Sequence, residues 1–268
     1  MLQVTTEQAV AALQATCIKP GDGVLVHSAI QYLGQPLDGV AMYYTALCQA
    51  LDIPIGLSPA SPGSGTLAAP AFNFAFARGE PYDPLTTPAL GMGALSEYVR
   101  QRTEARRTPH PMQSLAVVGR YAADLASRDT SSAFDPGSAY ERMLELDFKL
   151  LLLGASIQAV SMLHYSEQRA GVPYRYWKAF TGHYLTPQGL EQRTYRMFVR
   201  DLQLDPKIEL YPVQRALQDQ GKWHSAPLNY GQVACCRLVD FVAEIDRCLE
   251  QDAWLLVTNR PAQGSGIR

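Results

Sequence analysis

The stretch that most restricts how this chain can fold is LLLLGASIQAVSMLHYSEQRAGVP, from Leu150 to Pro173. Four consecutive leucines closed by Gly154 read as a strand buried on both faces, because a half-exposed strand would alternate apolar and polar side chains. Ser161 is a good N-cap for a following helix, and Gly171 with Pro173 just beyond stops that helix in the usual order. His164 and Glu167 are spaced i, i+3 and so share one helix face. A histidine in the first turn meets the positive end of the helix dipole, which disfavours the imidazolium. A neutral imidazole beside a carboxylate able to orient it is a general base ready for use. The pattern HxxE is short, and the alternative is that His164 only packs on a half-buried helix.

The rest of the chain punctuates clearly. Thr5 or Thr6 caps a first helix with apolar positions at Val10, Leu13 and Cys17, ended by Pro20 and Gly21. GVLVHSAI (Gly23–Ile30) reads as a strand stopping at His27 and Ser28, and the segment from Gly39 to Leu51 as a helix. GSGTLAAPAF (Gly63–Phe72) is a glycine turn and a strand, with no lysine placed to make a nucleotide-phosphate loop. The Pro- and Gly-rich loop from Asn73 to Gly93 is long enough to be functional or disordered. A helix is expected over Leu90–Arg102. Pro111 then pushes His110 away from helical angles, which fixes an imidazole in a rigid loop before the strand ending at Gly119. Asp135 as N-cap and Pro136 at the first helical position start another helix. Residues 175–199 read as a hairpin turning near Pro187, Gln188 and Gly189. From Gly231 a helix is expected with Ala234, Leu238, Phe241, Ile245 and Cys248 on one stripe. The tail 260–268 reads as flexible.

Several of these segments together resemble the aminoglycoside 3-N-acetyltransferase family, which is unrelated to the GCN5-like acetyltransferases. LLLLGASIQAVSMLHYSE is similar to its LLLxG strand followed by an S-x-LHxxE helix and a VPYR-like turn. PHPMQSLAVVG is similar to its HP-x-x-S-x-A-x-G element, GTLAAP to its GTLxxP strand, and YGQVACCRL to its closing segment. The resemblance spans nearly the whole chain. It implies a single α/β (α+β) domain over 1–268, a central mixed β-sheet flanked by helices. It implies acetyl-CoA as cosubstrate, a small-molecule amine acceptor such as an amino sugar or aminoglycoside, and direct transfer without an acyl-enzyme. Within it His164 matches the catalytic histidine and Glu167 its partner. His27, Ser28, Thr66, His110 and Ser114 match positions that lie against coenzyme A. His110 is equally readable as a structural hydrogen-bonder. Asp83 and Glu80 fall in a loop that lines the family's substrate cleft, or are simply solvated loop carboxylates. The chain departs from the pattern in two places. Ala29 stands where the family has a second serine, and Arg169, Arg175 and Lys178 cluster after the catalytic helix, where an acidic lining would suit a polyamine. These cations would favour an anionic or nucleotide-linked amino sugar, if they face the cleft. A rival of another class is a metal-dependent hydrolase using His164, Glu167 and His110, although no metal site is expected.

A net charge of −2 over 268 residues, with no basic face, argues against a nucleic-acid partner. No apolar run reaches transmembrane length and the N-terminus lacks a signal-peptide pattern, so no membrane partner and a cytoplasmic location are expected. The five cysteines (Cys17, Cys48, Cys235, Cys236, Cys248) are odd in number and include no CxxC pair. They read as reduced, buried apolar residues with neither a disulfide framework nor a zinc site. The oligomeric state is open, a homodimer among the options.

Overall fold

The structure, a computed structural model, describes residues 2–56 and 63–261. The chain enters through a two-residue strand, β1 (Gln3–Val4), and the helix α1 (Thr6–Gln14). Thr5 caps α1 in a full capping box, its hydroxyl accepting from the Gln8 amide while the Gln8 side chain accepts from the Thr5 amide. β2 (Gly23–Ser28), β3 (Gln35–Pro36), α2 (Val40–Leu51), β4 (Thr66–Pro70) and α3 (Ala94–Arg100) follow. Then come β5 (Arg106–Arg107), β6 (Leu115–Gly119), α4 (Ala122–Ala126), α5 (Ala139–Glu145), β7 (Lys149–Leu153) and α6 (Leu163–Ala170). The last part holds a long hairpin of β8 (Arg175–Thr186) and β9 (Gly189–Arg200), then α7 (Tyr211–Asp219), β10 (His224–Leu228), β11 (Gly231–Arg237) and α8 (Leu238–Gln251).

Seven strands form one mixed sheet in the order β10-β11-β7-β2-β4-β6-β5. Its centre, β7-β2-β4, is parallel, and the flanking strands are antiparallel. The leucine run shows why such a centre must be apolar throughout. Leu150 and Leu152 enter one core with Leu25, Phe241 and Ile245, while Leu151 and Leu153 enter the core on the other face with Val24, Val26 and Leu47. Successive side chains of a strand point to opposite faces, so a strand covered on both sides has no polar position to spare. Ser28 pairs with Leu153 in register, so β2 and β7 end together at one edge of the sheet. Among the described residues no helix is long and apolar enough to cross a membrane.

Several boundaries differ from the sequence expectation. Ser161 does not cap α6; the helix starts after Met162 without a side-chain cap, and the Ser161 hydroxyl is buried without a partner. The helix expected at Asp135-Pro136 starts at Ala139, where the Ser138 hydroxyl accepts from the Glu141 amide; Asp135 instead accepts from the Ser132 amide. α3 is shorter than Leu90–Arg102 because Gly91 and Gly93 have φ of 83° and 90°, outside the helical region. Gly231–Arg237 is a strand rather than the start of a helix, paired on both sides by β10 and β7. α7 and β10 were not anticipated. Residues 262–268 of the expected flexible tail lie outside the described residues. The cysteines are not all reduced: Cys17 and Cys235 are disulfide-bonded with Cα atoms 6.2 Å apart, and Cys48, Cys236 and Cys248 are free and buried. The partners are 218 residues apart, so no local spacing could reveal the pair.

Candidate active site

The edge where β2 and β7 end together carries the candidate site. Past Leu153 the chain turns through Gly154, which pairs with Ser28, and after one 3₁₀ turn enters α6. His164 is the second residue of α6 and Glu167 lies one turn on, so the i, i+3 spacing becomes contact: His164 Nδ1 is 2.6 Å from Glu167 Oε2. Arg175, the first residue of β8, closes the group. Its Nε is 2.8 Å from the same carboxylate oxygen, its Nη2 is 3.0 Å from His164 Nδ1, and its Nη1 donates to the Phe198 carbonyl at 3.1 Å.

Burial alone would push the Glu167 carboxyl up. Its hydrogen bond with His164, together with the Arg175 guanidinium, outweighs that and holds the group below its ordinary value. Glu167 is therefore ionised at neutral pH. A carboxylate 2.6 Å from a ring nitrogen requires a proton between them, so Nδ1–H donates to Glu167, and in the neutral ring Nε2 is the acceptor. In that tautomer the approach of Arg175 Nη2 to Nδ1 sets donor against donor. The Arg175 Nε–H is also not aimed at the carboxylate, so the 2.8 Å approach is a charge contact rather than an aligned hydrogen bond.

His164 and Arg175, with Arg200 at the end of β9, stand between two cavities. One is a cleft of about 680 Å³ whose walls include His27, Ser28, Phe72, Met92 and Ile208, with Lys207 at its border. The other, of about 320 Å³, is walled by Phe74, His110, Gln113, Phe134, Met197 and Phe198. His27 is buried with Nε2 unpartnered, and burial pushes its imidazole down to about 4. Burial likewise brings His110 down to about 4; its Nε2 is 3.4 Å from the Arg196 carbonyl and its Nδ1 has no partner. Both rings are neutral at pH 7.

Of the residues singled out by sequence, His164, Glu167, Arg175, His27, Ser28 and His110 gather here. The others do not. Thr66 begins β4 at the opposite end of the sheet from Ser28, and its hydroxyl accepts from the Tyr121 amide at 3.1 Å. Ser114, just before β6, is fully buried and bonded to the Ala71 carbonyl, Arg107 and Tyr82, and it lines neither of the two cavities. Asp83 folds its own loop, accepting from the Leu85 amide and the Thr86 hydroxyl, and Glu80 is an exposed partner of Arg78; neither lines either of these two cavities. The expected cationic cluster also separates. Arg169 pairs with Asp246 and covers the Tyr165 ring, and Lys178 is exposed over Phe180. The cations that do join Arg175 are Arg200 and Lys207, which the sequence reading missed. Arg200 had a signal: counting back from the Pro187-Gln188 turn places it opposite Arg175.

Comparison with known proteins agrees with this architecture. The family described as Aminoglycoside 3-N-acetyltransferase matches residues 25–250. The chain is 33% identical over 178 residues to an aminoglycoside N(3)-acetyltransferase III of a Salmonella species, covering 63% of this chain and 62% of that protein. It is 31% identical over 193 residues to another of Serratia marcescens, covering 69% and 72%. The match thus spans less than two thirds of the Salmonella relative. Among solved structures, AAC-IIIb in binary complex with CoASH superposes with a TM-score of 0.80 at 22% identity, covering 97% of this chain and 100% of that one. AAC-VIa bound to sisomicin gives 0.76 at 22% identity, covering 93% and 98%. At these identities the likeness is one of fold.

Proposed function

This chain belongs to the aminoglycoside 3-N-acetyltransferase family, and from that premise we propose that it transfers an acetyl group from acetyl-CoA to an amine of an aminoglycoside or other amino sugar. His164 is the general base. The observation that carries the reading is the His164–Glu167 contact of 2.6 Å at the junction of two cavities, with Nε2 free to accept.

The cleft suits such a donor. Its volume of about 680 Å³ is in the range of cofactor sites, the buried His27 Nε2 lacks a partner, and Lys207 and Arg200 at the border can meet phosphates. When bound, acetyl-CoA supplies an activated thioester. The protein must then solve the problem of the amine, which as an alkyl ammonium titrates near the lysine value of about 10 and is mostly protonated at pH 7. His164 Nε2 takes the proton that the amine loses as it attacks, an effect on the order of 100- to 10,000-fold. Glu167 holds the tautomer that leaves Nε2 unprotonated and stabilises the imidazolium that forms. The metal-dependent alternative would need three protein ligands; among the described residues no group of three His, Cys, Asp or Glu side chains is placed to hold a metal.

The test is thiol release from acetyl-CoA in the presence of sisomicin and of glucosamine, for the wild type and His164→Ala. The variant should bind coenzyme A as the wild type does in calorimetry while its turnover falls at least about 100-fold. Wild-type turnover in the variant would remove His164 as base, and a wild-type protein that binds no coenzyme A would remove the reading.

A further inference from the structure

We propose that Arg175 is a positioning residue that sets the basicity of His164, rather than a contact for the acceptor; this rests on the transferase reading only for its consequence in catalysis. The guanidinium and the imidazole share one oxygen of Glu167. Arg175 Nε is 2.8 Å and His164 Nδ1 is 2.6 Å from Oε2, and Arg175 Nη2 lies 3.0 Å from Nδ1 itself. Glu167 is fully buried and the Arg175 side chain is only 10% exposed, so solvent screens these contacts weakly. A carboxylate at 2.6 Å favours the imidazolium, which cannot accept. The fixed cation cancels that pull and opposes the second proton directly.

The geometry also ties the base to the hairpin. Arg175 Nη1 donates to the Phe198 carbonyl on β9 at 3.1 Å, so the strand opposite holds the fork in place. The other ionisable groups around the ring do not replace it. Arg200, on the same two cavities, is paired with Asp205 at 3.4 Å and half exposed, and Lys207 pairs with the same aspartate. His27 and His110 are neutral, and Tyr174 stays protonated because burial and the charge of Glu167 push its hydroxyl up. Among the described residues Arg175 is the cation that touches the Glu167–His164 pair.

The experiment has two readouts. One is the His164 ring pKa from NMR titration of histidine-labelled protein, the His164 signal assigned by its loss in His164→Asn; this needs no catalytic activity. The other is the acid limb of kcat/KM for acetylation of sisomicin. In Arg175→Met both should move to higher pH by about one unit or more, the usual effect of exposing a group to one uncompensated opposite charge. Arg175→Lys, which keeps the charge, should move them less than half as far. Arg175→Met with Glu167→Gln removes both buried charges, protects against a variant that fails to fold, and should bring the ring pKa back to within about half a unit of wild type. A ring pKa unchanged in Arg175→Met, or in the double variant a shift as large as the single one should give, overturns the proposal. So does a rise in acceptor KM with no movement of the acid limb, which would make Arg175 a substrate contact. Loss of activity in the wild type with the NMR shifts as expected would instead count against the transferase reading alone.

Discussion

At the scale of single residues, the buried histidines give the molecule a pH dependence of its own. His27 and His110 titrate near 4 in the folded chain because burial disfavours their charged forms, against an ordinary value of 6.5. Between these values the unfolded chain binds protons that the folded chain does not. Stability from this source is complete above about pH 6.5 and is lost as pH falls toward 4, by about 3 kcal/mol for each ring. The carboxylates act lower: Glu97, held down to about 2 chiefly by its hydrogen bond from Arg100, contributes mainly below the histidine window. Urea midpoints measured from pH 7 to 4.5 should therefore fall, and the slope should flatten in His110→Gln. A slope identical to wild type in that variant would show that the ring is charged or exposed in the folded state. The same scale shows what the sequence reveals about a site. His164 and Glu167 were legible because a helix turns i, i+3 spacing into contact. Thr66 and Ser114 sit in equally good motifs, yet their hydroxyls serve the Tyr121 amide and the Ala71 carbonyl. A motif position can be fixed by packing as firmly as by a ligand.

At the scale of elements, glycines decide where the site-bearing segments start and stop. Gly154 ends β7 with φ +72°, and a Cβ there would meet the Ala29 carbonyl oxygen at 2.7 Å and Leu33 Cγ at 2.9 Å. Gly171 ends α6 with φ +61° and open space around it. Gly171→Ala should therefore cost only the left-handed penalty, about 1 kcal/mol. Gly154→Ala adds a clash with backbone, so a further loss of about 1–3 kcal/mol is expected. Urea unfolding of the two variants checks the order, and equal losses would mean that the β2–β7 edge can yield. Punctuation of this kind made β7, α6 and the hairpin legible. Its absence hid the β11–α8 junction. No Gly or Pro separates Arg237 from Leu238, and Ala234 falls by chance in line with Leu238, Phe241 and Ile245, so a strand and a helix read as one helical stripe. Two-sided pairing by β10 and β7 made the difference, and that is a tertiary fact.

At the scale of the molecule, the parts that sequence left dark are those joined only by the closed fold. Cys17, just past α1, meets Cys235 on β11 although 218 positions of sequence separate them. The odd cysteine count and the absence of CxxC spacing pointed to five free thiols, because spacing rules see only short separations. A cross-link between such distant positions ties the N-terminal helix to the sheet and restricts almost the whole unfolded chain. In the chain-entropy view that stabilises by about 4–5 kcal/mol, the range for the longest loops. The expected outcome is countable. Protein purified without reductant and denatured should expose three reactive thiols, and five after reduction, with Cys48, Cys236 and Cys248 as the constant set. Reduction should lower Tm by roughly 10 °C for a chain of this size, and Cys17→Ser should lower it by a similar amount and remove the sensitivity to reductant. Five thiols before reduction, with a Tm indifferent to reductant and to Cys17→Ser, would mean that the two sulfurs only pack against each other, and that α1 is held to β10 by its apolar face alone.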